Sequence, residues 1–150
     1  MNQPLSLNCL GFVYDFANYG GAIGTINLGS PNIPVKSQIV IVQATALTDL
    51  ASGGAATVSL GLIQAGVGTP ISTIDMLLPA SLVAVFNNAP TGSIGGTLNQ
   101  PVNCTDFISS GGSGVGLRLD TDCQVTMSIG VADLTKGKIL VSVYYTQSLN

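Results

Sequence analysis

Residues 1–150 are predicted to form a single all-β domain, an antiparallel β-sandwich, with the jelly roll among the topologies that fit. About seven or eight short segments alternate apolar with polar or small residues, as half-buried strands do. Clusters of glycine, proline, asparagine and serine separate these segments, and no long segment has helical periodicity. Hydrophobic residues make up 46% of the chain, which is enough apolar surface to bury a core.

The first strands are predicted near the N-terminus. Residues 10–16 and 22–28 both alternate, and the turn residues at 19–21 between them predict a hairpin. Residues 1–9 precede these strands and are interpreted as an N-terminal arm. The β-branched run 39–42 predicts a central strand that is buried on both faces.

Two further hairpins are predicted later in the chain. The glycines at 53–54 are a turn signal, and the alternating segment 56–62 follows them. Residues 125–131 and 139–146 alternate on either side of a turn at 133–137. The last third of the chain therefore gives the clearest strand pattern.

The middle of the chain is less regular. Residues 72–78 predict a short helical turn before Pro79, and residues 82–86 predict a short strand. The serine- and glycine-rich segment 109–114 is too short to separate two domains that each bury a core, so it is interpreted as a surface loop.

The chain carries few charges. Charged residues make up 7% of the sequence, whereas ordinary soluble domains have about a quarter. A subunit that packs against neighbours hides surface that a dispersed monomer covers with charges, so this composition favours an assembled protein. The chain has four lysines and arginines in total and seven aspartates, so its net charge is −3. Because nucleic-acid binding depends on clustered cations, DNA and RNA are not expected as partners.

Catalytic residue types are scarce, so the chain is predicted not to be an enzyme and to hold no cofactor. It has no histidine, which is the commonest general base and the usual partner of serine and cysteine nucleophiles. Asp120-Thr121-Asp122 offers oxygen ligands for Ca²⁺ but lacks the further acidic positions and the glycine of an EF-hand loop. No catalytic residue and no metal ligand is therefore assigned.

No segment is predicted to cross a membrane or to direct export. Three prolines interrupt the uncharged run 76–105, and residues 1–4 lack the basic start of a signal peptide, so synthesis in the cytoplasm is expected. The three cysteines, Cys9, Cys104 and Cys123, are widely spaced and odd in number. Buried reduced thiols are favoured over one disulfide, and pairing of Cys104 with Cys123 stays open.

Aromatic residues gather near the two ends of the chain. The set consists of Phe12, Tyr14, Phe16, Tyr144 and Tyr145. Such rings can stack on a ligand, but no basic residue stands beside them, so packing in the core or between subunits is the favoured interpretation. These five residues are the predicted subunit interface.

Four segments stand in a recognisable order along the chain, namely Tyr14-Asp15-Phe16 and residues 20–26, 52–58 and 125–143. Together they resemble the small decoration, auxiliary capsid and head-fibre proteins of tailed bacteriophages. The resemblance implies a structural virion protein on the outside of a phage capsid, made in the host cytoplasm, that reinforces the head or displays a surface. It also implies two partners, namely the protein itself, as a homotrimer, and the major capsid protein. A location on a fibre or neck stays open.

A second interpretation is a glycan- or receptor-binding β-sandwich of a phage fibre. The segments 87–88 and 99–106 are predicted loops that could supply polar contacts, although the chain has no tryptophan to stack on sugars. A self-assembling shell subunit fits less well, because the chain is short and has no long helix.

Overall fold

Strands dominate the computed structural model, which describes residues 7–68, 70–71, 77–88, 91–94, 97–98 and 119–147. The strands in these ranges are β1 (Leu7–Asp15), β2 (Gly24–Asn27), β3 (Ser37–Ser52), β4 (Thr57–Gln64), β5 (Pro70–Ile71), β6 (Leu78–Leu82), β7 (Thr91–Ile94), β8 (Thr97–Leu98), β9 (Cys123–Gly130) and β10 (Leu134–Gln147). Two short helices, α1 (Phe16–Tyr19) and α2 (Val83–Asn88), accompany them. The all-β prediction is confirmed.

The strands form two antiparallel sheets. Sheet A has the order β1-β10-β3-β7-β8, and sheet B has the order β2-β9-β4-β5, with β6 also pairing with β4. The pairs are nested along the chain, because β1 pairs with β10, β2 with β9, β3 with β7, and β4 with both β5 and β6. A ribbon of such nested pairs, with successive pairs placed in opposite sheets, is a jelly roll. The predicted sandwich therefore has this topology.

The three predicted hairpins do not form. Strands β1 and β2 lie in different sheets, and so do β3 and β4, and β9 and β10. Alternation along a strand determines which side chains share a face, but it does not determine which strand lies alongside. Here the short connections cross from one sheet to the other, so each long strand finds its partner in a distant part of the chain.

Apolar side chains from the inner faces of both sheets form the core. Strand β9 contributes Cys123, Val125, Met127 and Ile129, which are at most 2% exposed and follow the predicted alternation. Full burial of an aliphatic side chain of this size stabilises the fold by about 1.5–3 kcal/mol. Other strands contribute Ile39, Val42, Ala44, Val58, Leu60, Leu62, Ile139, Val141 and Val143.

Strand β3 occupies the centre of sheet A, between β10 and β7, as predicted for the run 39–42. Burial on both faces is wrong, because Ile39 and Val42 are buried whereas Val40 and Ile41 are half-buried. A register shift opposite Tyr144 leaves Val40 as an extra residue in β3. This bulge interrupts strict alternation, so the inward positions are 39 and 42 rather than every second residue.

The strand predicted over residues 82–86 is also wrong, because helix α2 begins at Val83. Phe86 points into the core and is 1% exposed. The Asn87 amide fixes the helix to β3, since it accepts a hydrogen bond from Leu50 N–H and donates one to Leu50 C=O, both at 2.8 Å. Packing and two hydrogen bonds thus override the strand propensity of the valines.

Several predicted segments lie partly or wholly outside the described residues. Of the N-terminal arm predicted over 1–9, residues 7–9 belong to β1 and residues 1–6 are not described. Leu78, at the end of the predicted helical turn 72–78, begins β6, and residues 72–76 are not described. The loop predicted at 109–114 is not described either.

Candidate assembly surface

Four of the five aromatic residues of the predicted interface lie in sheet A, and Phe16 begins helix α1. Tyr14 is fully buried in the core, and Phe12, Phe16 and Tyr145 are half-buried and pack against it. Tyr144 lies on the opposite face, because successive residues of β10 point to opposite sides of the sheet. The single chain therefore packs four of these rings on its own core.

Tyr14 has a structural role at the end of β1. Its hydroxyl donates a hydrogen bond to Gly20 C=O at 2.6 Å, and its ring stacks on Tyr19 with the centroids 6.0 Å apart. Burial and, to a smaller extent, the Asp15 carboxylate raise the pKa of Tyr14 to about 12. The phenol therefore stays a neutral donor that holds α1 against the end of the strand.

The outer face of sheet A is open to solvent. It includes Leu7, Cys9, Gly11 and Val13 on β1, Leu140, Ser142, Tyr144 and Thr146 on β10, and Ile41, Gln43 and Thr45 on β3. Gln43 is exposed in the central strand, and Leu7 and Val13 are 58% and 40% exposed. None of these residues is an aspartate, lysine or arginine. Apart from the Asp15–Lys138 pair at one end of the face, these residues form an uncharged and partly apolar surface.

The outer face of sheet B has a different character. Ser59, Thr126 and Ser128 face away from the core, yet they are 4%, 2% and 6% exposed. The hydroxyl oxygens of Ser128 and Thr25 are 2.8 Å apart and hydrogen-bond across the strands. Small polar side chains on this face are thus buried, whereas larger apolar ones on the outer face of sheet A are accessible.

Cross-strand register arranges the outer face of sheet A in rows. The rows across β1, β10 and β3 are Cys9 with Tyr144 and Ile41, Gly11 with Ser142 and Gln43, and Val13 with Leu140 and Thr45. The first and third rows carry the larger apolar side chains, and the middle row begins with glycine and serine. Residues directly opposite each other lie close enough to interact across strands, so the side chains of each row lie side by side.

Two polar contacts accompany this face. A hydrogen bond between the Cys9 thiol and the Tyr144 hydroxyl raises the pKa of Tyr144. At the end of β1, Lys138 Nζ donates to Asp15 Oδ2 at 2.8 Å, and Ala17 N–H donates to Asp15 Oδ1 at 3.0 Å. These two bonds hold the pKa of Asp15 below its usual range. The ion pair leaves the rim of the face close to electrically neutral.

The loop between β9 and β10 presents a strained valine that the sequence pattern does not reveal. Val131 is 71% exposed and has a φ of 69°, a left-handed conformation that β-branched residues rarely adopt. The loop is anchored, because Leu134 N–H donates to Gly21 C=O at 2.8 Å and Asp133 accepts from Ile23 N–H at 2.9 Å. The neighbouring hydrogen bonds thus hold Val131 in an unfavourable backbone conformation.

The segment considered for Ca²⁺ is engaged in local hydrogen bonds. Asp122 Oδ1 accepts from Val35 N–H at 2.8 Å, and Cys123 Sγ donates to Thr121 C=O at 3.3 Å. Burial, followed by the negative charges of Asp120 and Asp122, raises the pKa of Cys123 to about 11. In the described ranges, no group of three or more His, Cys, Asp or Glu side chains is placed to hold a metal ion.

The cysteines only partly match the predicted buried thiols. Cys123 is buried and free, whereas Cys9 is exposed and free, because it falls on the outer face of sheet A. Cys104 lies outside the described residues. A helix long and apolar enough to span a membrane does not occur in the described part of the chain.

Chains from three phage capsid structures share this fold. The chain is similar to one in the capsid of Ralstonia phage GP4, with a TM-score of 0.61 and 16% identity over 98% of this chain and 86% of that one. For a chain of the cyanophage Pam1 capsid asymmetric unit, the TM-score is 0.58 and the identity 13%, over 99% and 93% of the two chains. For a chain of the acid-stable capsid of Helicobacter pylori bacteriophage KHP30, the values are 0.53 and 12%, over 93% and 86%.

No protein-family model and no curated protein matched the sequence. At 12–16% identity, the three similarities show a common fold. This fold occurs in phage capsids, which agrees with the resemblance of the sequence to phage head proteins in general.

Proposed function

We propose that this protein is a structural virion component, without enzymatic activity, that binds the outside of a phage capsid as an oligomer and reinforces it. The observation that carries the proposal is the jelly-roll fold shared, over nearly the whole chain, with chains of three phage capsids. Jelly rolls are common in viral capsid domains but also occur in lectins, so composition adds a second argument. A charged fraction of 7% suits a subunit that covers much of its surface with neighbours.

The outer face of sheet A is the proposed contact with the major capsid protein. Interface centres are depleted of charged residues and enriched in aromatic ones, and this face has Tyr144 on its middle strand and, among the described residues, the Asp15–Lys138 ion pair at one end. Leu7 and Val13 expose apolar surface that a partner would remove from water.

Direct binding to capsids tests the proposal. Capsids assembled without this protein are mixed with the purified protein and sedimented, and the heads are then heated to find the temperature at which they release their DNA. We expect the protein to sediment with the capsids in a fixed ratio and to raise that temperature. Protein that stays in the supernatant, or that binds without stabilising the heads, would contradict the reinforcement role.

A pair of matched substitutions tests the contact surface. Val13→Asp places a charge on the outer face, and Val131→Asp makes the same change at an exposed valine in the loop between β9 and β10. Burying an unpaired carboxylate is costly, so Val13→Asp is expected to weaken capsid binding at least about tenfold, which corresponds to about 1.4 kcal/mol. Val131→Asp should bind like the wild type. Equal binding by both variants would exclude this face as the contact.

Glycan or receptor binding is the competing outcome. One of its candidate residues, Asn87, has its amide engaged by both backbone groups of Leu50. The side chain of Asn88 and residues 99–106 are outside the described part. Saturable binding on a glycan array, together with heads that are equally stable without the protein, would favour that role. Light scattering on the purified protein counts its copies and tests the homotrimer that the resemblance implies.

A further inference from the structure

Strand β1 forms a long edge of sheet A. It has nine residues, whereas the other edge strands in the described ranges, β2, β5, β6 and β8, have four, two, five and two. Along an edge, every second residue directs its N–H and C=O away from the sheet, and proteins protect such edges with short strands, lysine, proline or bulges. Strand β1 contains no lysine or proline, and its register with β10 is continuous from Leu7 to Asp15.

Gly11 lies in the middle of this edge, and no contact among the described residues requires a glycine there. Gly11 is the fifth of the nine residues, and its φ is outside the left-handed region. A Cβ at this position would meet Val141 O at 4.0 Å, an ordinary contact among the described atoms. A side chain at this position points out of the sheet, so pairing at the edge neither requires nor forbids a glycine. Gly11 is the midpoint of the strand, the position about which two copies can pair in full.

We propose that β1 pairs antiparallel with β1 of a second copy of this protein, about a two-fold axis at Gly11. All nine residues of each strand are then paired, because Gly11 is the central one. Leu10 lies opposite Phe12 of the second copy, and Cys9 lies opposite Val13. The half-buried Leu10 and Phe12 cover each other at the junction, as apolar cross-strand pairs do.

The charges of β1 suit a second copy as the occupant. Asp15 is the single charged residue of the strand, and it is already paired with Lys138. In the proposed register each Asp15 lies opposite Leu7, and the two Asp15 carboxylates are about 26 Å apart at 3.3 Å per residue. This distance exceeds the Debye length of about 8 Å at physiological ionic strength, so the carboxylates do not repel each other.

The pairing joins two five-stranded sheets into one continuous sheet. A two-fold contact makes assemblies with an even number of copies. A hexamer, in which such contacts link two trimers, agrees with both this inference and the homotrimer implied by the resemblance. The inference concerns self-association, and it stands or falls independently of capsid binding.

Engineered cysteines test the pairing and its register in a Cys9→Ser, Cys104→Ser background. Gly11→Cys is expected to give a covalent dimer under mild oxidation, because directly opposed residues have Cβ atoms about 4.5–5.5 Å apart, close to the separation in disulfides. Val13→Cys in the same background should stay monomeric on a non-reducing gel, since two residues at that position are about 13 Å apart. Val13→Cys with Cys9 retained should form the dimer again, because those two positions face each other.

The pairing would be overturned if neither Gly11→Cys nor the variant with Val13→Cys and native Cys9 forms a cross-linked dimer. Cross-linking of Val13→Cys in the background lacking Cys9 would overturn the register.

Solution mass provides a second readout. Gly11→Lys places two like charges at the axis, and Gly53→Lys is the matched control at an exposed loop glycine, where an added Cβ would meet nothing within 4 Å. We expect Gly11→Lys to halve the mass measured by light scattering while the domain keeps the circular dichroism spectrum of the folded wild type, whereas Gly53→Lys keeps the wild-type mass. A wild-type protein with one or three copies, or a Gly11→Lys variant of unchanged mass, would refute the proposal.

Discussion

Replacement of Val131 by asparagine should stabilise the protein even though it removes an apolar side chain. A left-handed conformation costs a residue with a Cβ roughly 1–2 kcal/mol, and asparagine tolerates it much better. Val131 is 71% exposed, so the lost burial amounts to about a third of the 1.5–3 kcal/mol of a fully buried side chain. The difference predicts a gain of about 0.5–1 kcal/mol in the free energy of unfolding.

Urea unfolding measures this gain as a higher midpoint at an unchanged slope. The melting temperature should rise by about 1–4 °C, which is the scale expected for a chain of this length. Val67→Asn is the matched control, because Val67 is 66% exposed in another loop and its φ is not positive. If Val131→Asn gains no more free energy of unfolding than Val67→Asn, the left-handed conformation of Val131 stores no strain.

Three further predictions concern the turn after β1 and its ion pair. Gly21→Ala should lower the free energy of unfolding by about 3 kcal/mol in urea titrations, because the added Cβ would overlap the Leu134 carbonyl. Tyr14→Phe should cost about 1–2 kcal/mol by the same method, since the partly buried Gly20 carbonyl loses its donor. The pKa of Asp15 is lowered from 3.8, so its contribution to stability is present above that pH and disappears as the pH falls through the folded value. An NMR titration should find this pKa below 3.8 in the wild type and closer to it in Lys138→Gln.

Strand faces could be predicted from the sequence, whereas strand partners could not. The alternation of β9 and β10 correctly places Val125, Met127, Val141 and Val143 on inner faces. All three hairpins were wrong because alternation is a local property, and partners in a jelly roll depend on how distant segments meet. The bulge at Val40 was equally hidden, since an extra residue changes the inward positions without changing composition.

The candidate surface was predictable in part for a related reason. Sequence alone assigns Tyr144 to the face opposite Tyr145, and the structure confirms that it lies there. Whether an outer face is open or covered depends on the rest of the fold, so alternation could not distinguish Ser128, which is buried, from Gln43, which is exposed. Val13 was missed because the aromatic residues on the other side of β1 gave the stronger signal.

Pairing through β1 would enlarge the surface available for capsid contact. The three long strands of one outer face cover roughly 330 Å², at about 4.8 Å between strands and 3.3 Å per residue, whereas a specific interface buries about 800 Å² on each partner. A two-fold axis perpendicular to sheet A turns both outer faces to the same side, so a β1-linked pair offers about twice that footprint.

A β1-linked pair can attach through both outer faces at once, and this should strengthen capsid binding. The oxidised Gly11→Cys dimer is expected to bind capsids about 10²–10⁴ times more tightly than the reduced form, at dilutions where the reduced form is monomeric. Equal affinities would mean that one face is sufficient and that pairing through β1 serves some other contact in the assembly.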